Sequence, residues 1–213
     1  MVINRLPNHF ARREFLPFDE RSALLEWIIA NRARFTPAKV AHEGSGARIG
    51  SVRTGLKLRD LGPQAEPLTR RLLEILPEIS GALGCHAPHN PKLELEITAY
   101  GDGAFYAAHR DIMVGAGRTA WSAHAGEDRL LSAVYYLHIE PKAFTGGTLD
   151  LFRFGVEPAK SEHKDRVRVE PDDNKLIAFP SWVFHEVMPV SCPGNRFENH
   201  RFAVNCWYCA PLA

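Results

Sequence analysis

The chain has 213 residues, 45% of them hydrophobic and 24% charged, with 26 Lys plus Arg against 25 Asp plus Glu. That length supports a single domain, residues 1–213, with a sizeable core. The near-neutral balance excludes the basic footprint of a nucleic-acid binder. No run approaches the roughly 20 apolar residues that span a bilayer. Met1 to Arg13 lacks the apolar segment of a signal peptide, and Cys85, Cys192, Cys206 and Cys209 lack small-scaffold disulfide spacing. A reduced, cytoplasmic protein with no nucleic-acid or membrane partner is the expectation.

Asp19 to Phe35 reads as an amphipathic helix, with Leu24, Leu25, Ile28 and Ile29 at helical spacing. Thr36 to Gly62 breaks into a pair of short strands joined by a mobile loop around Glu43-Gly44-Ser45-Gly46. A second helix is expected from Pro67 to about Leu83, kinked or restarted at Pro77. Residues 1–91 are thus mostly helical. After Lys92 the pattern changes. Leu93 to Tyr100 alternates strictly, as a half-buried strand does. Phe105 to Asp111, Leu130 to Ile139, Thr148 to Phe154, Arg166 to Glu170, Lys175 to Phe179, Glu186 to Val190 and Phe202 to Tyr208 follow as short strands between turn residues. Such a series forms an antiparallel sandwich or barrel. The fold class is mainly β with helices: a jelly roll over 92–213 with the N-terminal helices packed on it.

Chemistry concentrates in Ala107-Ala108-His109-Arg110-Asp111-Ile112. Residues two apart on a strand share a face, so His109 and Asp111 can converge on one point. His185 follows in the apolar run Phe179 to Val187. Two imidazoles and a carboxylate, with positions left open, suit non-haem iron(II) that must also take a co-substrate and O2. The pair alone has a duller reading, since His-x-Asp is more often incidental. Ile112 to Asp128, with three glycines, Trp121 and His124, is either a substrate lid or a solvated connection. Arg48, Arg53 and Lys57 are either substrate contacts or solvated charge. Cys206-Trp207-Tyr208-Cys209 mimics a redox pair, but residues three apart on a strand face opposite sides.

In order along the chain come Tyr100-Gly101-Asp102-Gly103, His109-Arg110-Asp111, Tyr135-Tyr136-Leu137, Gly146-Gly147, Phe179-Pro180, His185-Glu186-Val187 and Arg201 to Trp207. That order, over about Leu93 to Tyr208, resembles the iron- and 2-oxoglutarate-dependent dioxygenases of the prolyl 4-hydroxylase-like branch, the hypoxia-sensing and collagen-type enzymes. The resemblance implies a double-stranded β-helix with His109, Asp111 and His185 as iron ligands. It also implies a cation for the distal carboxylate of 2-oxoglutarate, which arginine holds with parallel hydrogen bonds. Arg201 is favoured, standing six before Trp207 as the family's basic residue stands before its tryptophan. Arg196 is the alternative, and choosing Arg201 implies a longer insertion, Ser191 to His200, than the family pattern has. Tyr100, Tyr136, Leu149 and Val187 match positions of the co-substrate pocket.

The implied cofactors are Fe(II), 2-oxoglutarate and O2, with ascorbate as an accessory reductant. The implied activity is hydroxylation of an unactivated C–H on a prolyl or other amino-acid side chain, free or in a peptide or protein. The alternatives are a cupin-like metal-binding or sensing module without turnover, and a small-molecule hydroxylase.

Overall fold

Residues that alternate in polarity can bury both faces of a sheet only if something packs on each side, and here both sides are covered. The computed structural model describes residues 6–38, 53–87, 89–112 and 127–211. Its strands are β1 (Phe10–Arg12), β2 (Thr36–Pro37), β3 (Leu56–Leu58), β4 (Lys92–Tyr100), β5 (Tyr106–His109), β6 (Glu127–Leu137), β7 (Thr145–Gly146), β8 (Leu149–Phe152), β9 (Arg166–Val169), β10 (Lys175–Pro180), β11 (His185–Val187), β12 (Val190–Ser191) and β13 (Arg201–Pro211). The two α-helices are α1 (Phe18–Ala30) and α2 (Ala65–Leu83).

A seven-stranded sheet has the order β1-β10-β6-β13-β4-β3-β2, and a four-stranded sheet the order β5-β11-β8-β9. Strands β7 and β12 make a small separate pair. In chain order β4 lies in the large sheet, β5 in the small one, β6 in the large, β8 and β9 in the small, β10 in the large, β11 in the small and β13 in the large. That winding between two facing antiparallel sheets is the expected double-stranded β-helix.

Alternation along the large sheet makes two cores. Ile97, Ala99, Tyr135, Leu176, Phe202, Val204 and Tyr208 face the helices, where they meet Leu24, Ile28, Leu68, Leu72 and Ile79. Tyr100, Val134, Tyr136, Ile177, Phe179 and Ala203 face inward and meet Leu149, Leu151, Val169 and Val187 of the small sheet. The Tyr208 hydroxyl donates to the Leu72 carbonyl at 2.8 Å, tying the sheet to α2.

The N-terminal part supplies strands as well as helices. Strand β1 pairs with β10, and β2 and β3 extend the sheet beyond β4. Three residues of β1 are too few to show periodicity. Helix α1 stops short of Phe35, because Asn31 turns its side-chain amide back onto the Trp27 carbonyl at 2.8 Å. Arg32–Arg34 then forms a 3-10 turn. Helix α2 continues through Pro77 instead of restarting there. Its buried face of Leu68, Leu72, Leu76, Ile79 and Leu83 offsets the one N–H that proline lacks. Gly84, at φ 67°, ends it in the left-handed region. Among the described residues no helix is long and apolar enough to cross a membrane. Arg48, the 43–46 loop, Trp121, His124 and nearly all of the expected lid lie outside the described residues.

Leu72 is fully buried between α2 and the sheet. Leu72→Ala should therefore cost about 2–5 kcal/mol. Urea denaturation reads that loss, while Mn(II) titration under native conditions should stay at wild type, since the helix-facing core does not touch the inner face.

Candidate active site

His109 closes β5 and stands directly opposite His185 on β11. The strand stops there, two residues earlier than its sequence pattern implies, and Asp111 lies in a bend beyond it. Shared strand parity therefore does not place the carboxylate. A backbone contact does: the Asp111 N–H donates to the Ser181 carbonyl at 3.0 Å, returning the chain toward His185. The donor atoms of His109, Asp111 and His185 all lie within 4.8 Å of one another. His109 Nε2 is 3.8 Å from Asp111 Oδ1, and His185 Nε2 is 3.6 Å from Asp111 Oδ2.

Each ring has its other nitrogen fixed. His109 Nδ1 lies 2.9 Å from the Ala107 carbonyl, and His185 Nδ1 lies 3.0 Å from the Val183 carbonyl. A carbonyl only accepts, so Nδ1 carries a proton in each ring and Nε2 is the nitrogen turned toward Asp111. Burial, reinforced by His185 alongside, lowers the His109 pKa and keeps that ring neutral. Burial works against the Asp111 carboxylate, but the two imidazoles, the Ser132 hydroxyl and the Trp207 indole outweigh it and hold its pKa below the ordinary value. A neutral His109 and an ionised Asp111 are the forms a divalent metal needs from those two residues.

Ser132, Ser181 and Trp207 support this cluster and were not among the sequence candidates. Ser132 Oγ donates to Asp111 Oδ2 at 2.6 Å and lies 2.8 Å from Ser181 Oγ. Trp207 pairs with Ser132 across β13 and β6, which puts both side chains on one face. A serine on the inward phase of an otherwise apolar strand was the available signal.

Farther along the same interior, Arg201 is 1% exposed. Its guanidinium carbon lies 4.8 Å from the Tyr100 ring centroid and 4.9 Å from that of Tyr136. Nε, Nη1 and Nη2 are all buried without a hydrogen-bond partner among the described residues, and so is the Tyr136 hydroxyl. Burial pushes Tyr136 up to about 12 against the pull of Arg201, so the phenol stays protonated. Leu149 and Val187 pair across β8 and β11 and complete an apolar wall. Arg196 is elsewhere: its side chain is 72% exposed, and Nε donates to Glu198 at 2.8 Å. The insertion that carries Arg196, Ser191 to His200, hooks onto the Gly101–Gly103 turn. There Asp102 N–H donates to Asn195 Oδ1 at 3.0 Å, and Cys192 N–H to Asp102 Oδ1 at 2.8 Å.

Arg53 is neither a solvated charge nor free for substrate. It is 8% exposed, with Nη2 2.9 Å from Glu96 Oε1 and 2.8 Å from Thr98 Oγ1. Lys57 and Arg59 approach the same carboxylate at 3.8 and 3.1 Å. A bulge between Tyr208 and Cys209 breaks the alternation, so parity does not separate Cys206 from Cys209. Both are buried and outside any disulfide, and burial holds Cys206 far above its usual pKa. That makes it a core residue, not a redox centre.

Gly147 has φ +67°, and a Cβ there would lie 2.7 Å from Arg201 Cδ and 2.8 Å from Val190 Cγ2. Gly147→Ala should cost about 1–3 kcal/mol by urea denaturation. It should also displace Arg201, so a 2-oxoglutarate titration at fixed Mn(II) should weaken with it.

A partly buried cluster of two histidines and an aspartate, and an arginine without a hydrogen-bond partner among the described residues in the same barrel, fit a metal and a dicarboxylate. Comparison with known proteins agrees. The chain is 30% identical over 197 residues to an uncharacterized PKHD-type hydroxylase of Synechocystis, covering 92% of this chain and 61% of that protein. It thus spans about three fifths of that relative's length. The fold matches a Pseudomonas putida prolyl-4-hydroxylase at TM-score 0.64 and 21% identity, covering 97% of this chain and 94% of that one. It also matches a Trichoplax adhaerens prolyl hydroxylase, in complex with a hypoxia inducible factor oxygen degradation domain peptide, at TM-score 0.65 and 18% identity, covering 95% and 83%. Residues 95–209 match the family model of the 2OG-Fe(II) oxygenase superfamily, and the chain belongs to that superfamily.

Proposed function

We propose that the protein is an Fe(II)- and 2-oxoglutarate-dependent dioxygenase that hydroxylates an unactivated C–H of a prolyl or other amino-acid side chain in a peptide or protein. The observation that carries this reading is Arg201, a buried guanidinium with no hydrogen-bond partner among the described residues, in the same interior as the His-Asp-His cluster. An unpaired buried charge is costly unless something pairs with it. A dicarboxylate reaching in from the metal end supplies that partner.

On this reading His109, Asp111 and His185 would hold iron through their Nε2 atoms and a carboxylate oxygen. Bound together, iron, co-substrate and O2 supply the oxidation of a C–H to an alcohol while 2-oxoglutarate splits to succinate and CO2. The protein's residues orient and enclose. Arg201 and the protonated Tyr136 hydroxyl donate to the distal carboxylate, Tyr100 flanks the guanidinium, and Leu149 and Val187 keep water from that end. Ser132 takes up one Asp111 oxygen, which leaves Oδ1 for the metal. A peptide or protein substrate is supported by the fold shared with the Trichoplax enzyme, whose structure contains a peptide. The non-catalytic metal module accounts for the donor cluster but gives Arg201 no task.

The test is 2-oxoglutarate consumption with Fe(II) and ascorbate, alone and with proline-containing peptides or free amino acids. His109→Ala, Asp111→Ala and His185→Ala should each abolish turnover. Arg201→Met should raise the 2-oxoglutarate requirement about ten- to a hundred-fold, since a charged hydrogen bond contributes about 1.5–3 kcal/mol. Metal binding should be nearly unchanged. Arg201→Lys should recover part of the loss, and Arg196→Met should behave as wild type. Absence of any turnover, together with an Arg201→Met variant that binds 2-oxoglutarate normally, would put the non-catalytic module in its place.

A further inference from the structure

Two of the three donor residues stand at the ends of matching columns of side chains that begin on strand β4. In the first, Glu96 accepts from Arg53 Nη2 at 2.9 Å, with both side chains buried. The Arg53 guanidinium lies 4.7 Å from the Tyr106 ring centroid. Tyr106 stacks on the His109 imidazole, with centroids 3.6 Å apart and planes 18° apart. The imidazole fills one face of the phenol ring, so the guanidinium covers the other.

The second column starts two residues earlier, from the same face of β4. Glu94 Oε2 accepts from Arg129 Nε and Nη2 at 3.1 and 2.6 Å. The Arg129 guanidinium lies 3.8 Å from the Trp207 ring centroid. Trp207 pairs with Glu94 on one side and Ser132 on the other, and the Ser132 hydroxyl holds Asp111 Oδ2. The indole N–H also favours the ionised Asp111 carboxylate. Carboxylate, arginine, aromatic ring and donor residue thus follow one another twice, with the arginines and rings drawn from four separate parts of the chain.

We propose that Glu96–Arg53–Tyr106 and Glu94–Arg129–Trp207 are positioning braces that hold His109 and Asp111 in metal-binding orientation before the metal arrives. The inference rests on the reading of those two residues as iron ligands. The need for braces follows from the topology. Strand β5 is the edge of the four-stranded sheet, met on its outer side only by the Arg53–Thr54 segment, which bridges Tyr106 and stops short of His109, and Asp111 lies past its end, so neither donor is confined from both sides by neighbouring strands. His185 sits on β11 between β5 and β8, and Phe179 packs edge-on to its ring at 4.8 Å. Burial between strands confines His185. A ring clamped by a cation, itself clamped by a carboxylate, does the same for the other two. Plain apolar packing would fill the space without desolvating two arginines, and a cation over a ring face fixes the ring's orientation as well as its position.

The test uses Co(II), whose visible absorption reports coordination geometry, on protein stripped of metal, with thermal unfolding recorded beside it. Arg53→Met and Arg129→Met should each weaken Co(II) binding about ten-fold or more, the range expected when a partner of a metal ligand is lost, and should alter the cobalt spectrum. Arg53→Lys and Arg129→Lys should restore part of both. Arg53→Met with Glu96→Gln should be little worse than Arg53→Met alone, whereas Arg53→Met with Arg129→Met should multiply the two losses.

Arg168→Met is the structural control. It removes one of two arginines from the buried Asp150, and should lower thermal stability with no change in cobalt affinity or spectrum. If the two methionine variants keep wild-type affinity and spectrum, whatever their unfolding temperature, the pairs are ordinary core ion pairs and the proposal is wrong. Should Arg53→Met fail to fold, Tyr106→Leu reads the same column and must show the same loss. His109→Ala separates the two readings. Wild-type cobalt affinity in that variant removes the ligand assignment, whereas lost binding there beside normal binding in the arginine variants removes the braces alone.

Discussion

The register of β13 is the constraint on which the remaining structure depends. This strand lies between β6 and β4, and both of its faces are buried. Its even and odd positions serve different ends: Phe202, Val204, Cys206 and Tyr208 meet the helices, while Arg201, Ala203, Asn205 and Trp207 look into the barrel. A slip of one residue would exchange the two sets, sending an arginine into the helix-facing core and a phenylalanine into the barrel. Nothing in either core tolerates that exchange. The same hydrophobic burial that attaches the helices therefore sets the position of the interior cation to within one residue.

Charge is distributed along the barrel in a way that suits a bound anion between two poles. At one end lies the Arg201 guanidinium, flanked by aromatic faces and one protonated phenol. At the other lie His185, the His109 imidazole that burial favours as neutral, and a carboxylate whose ionised form is favoured by the groups around it. Between them the wall is aliphatic. A molecule with an acidic group at each end can satisfy the guanidinium with one and chelate a metal with the other. The arginines outside this axis, Arg53 and Arg129, are already matched by Glu96 and Glu94 and so leave the barrel's polarity undisturbed.

Much of this was legible in the amino-acid sequence, for reasons that can be stated. Period-two alternation located β4 and told which residues of β13 share a face, so Arg201 and Trp207 could be placed on one side of it from the sequence, while β6 and β10 stood out as apolar runs between turn residues. Period and parity say nothing about which residue lies across the gap. Ser132 opposite Trp207, Arg129 over that indole, and Arg53 over Tyr106 all depend on strand pairing or on a segment folding back, and none leaves a trace in local spacing. Arg53 shows the limit well. A lone arginine in a Gly- and Ser-rich stretch looks like solvated charge until Glu96 and Tyr106 are seen around it. Asp111 illustrates a subtler case, since strand parity leads to the right residue although the strand ends before reaching it. The Ser181 carbonyl, far along the chain, does what the ladder was expected to do.

The central place of β13 also bears on the order in which the molecule can be assembled. It follows β4 and β6 in the chain, yet it lies between them in the seven-stranded sheet, with β6 on one side and β4 on the other. Until it arrives, both of those strands present open edges, and the apolar rows that face the helices and the barrel lack their middle member. Synthesis proceeds from the N-terminus, so the nascent chain carries those two edges until β13 is made. Exposed strand edges are templates for pairing with other chains. Before β13 inserts, those two edges are open to aggregation, and to any chaperone that binds extended, unpaired backbone.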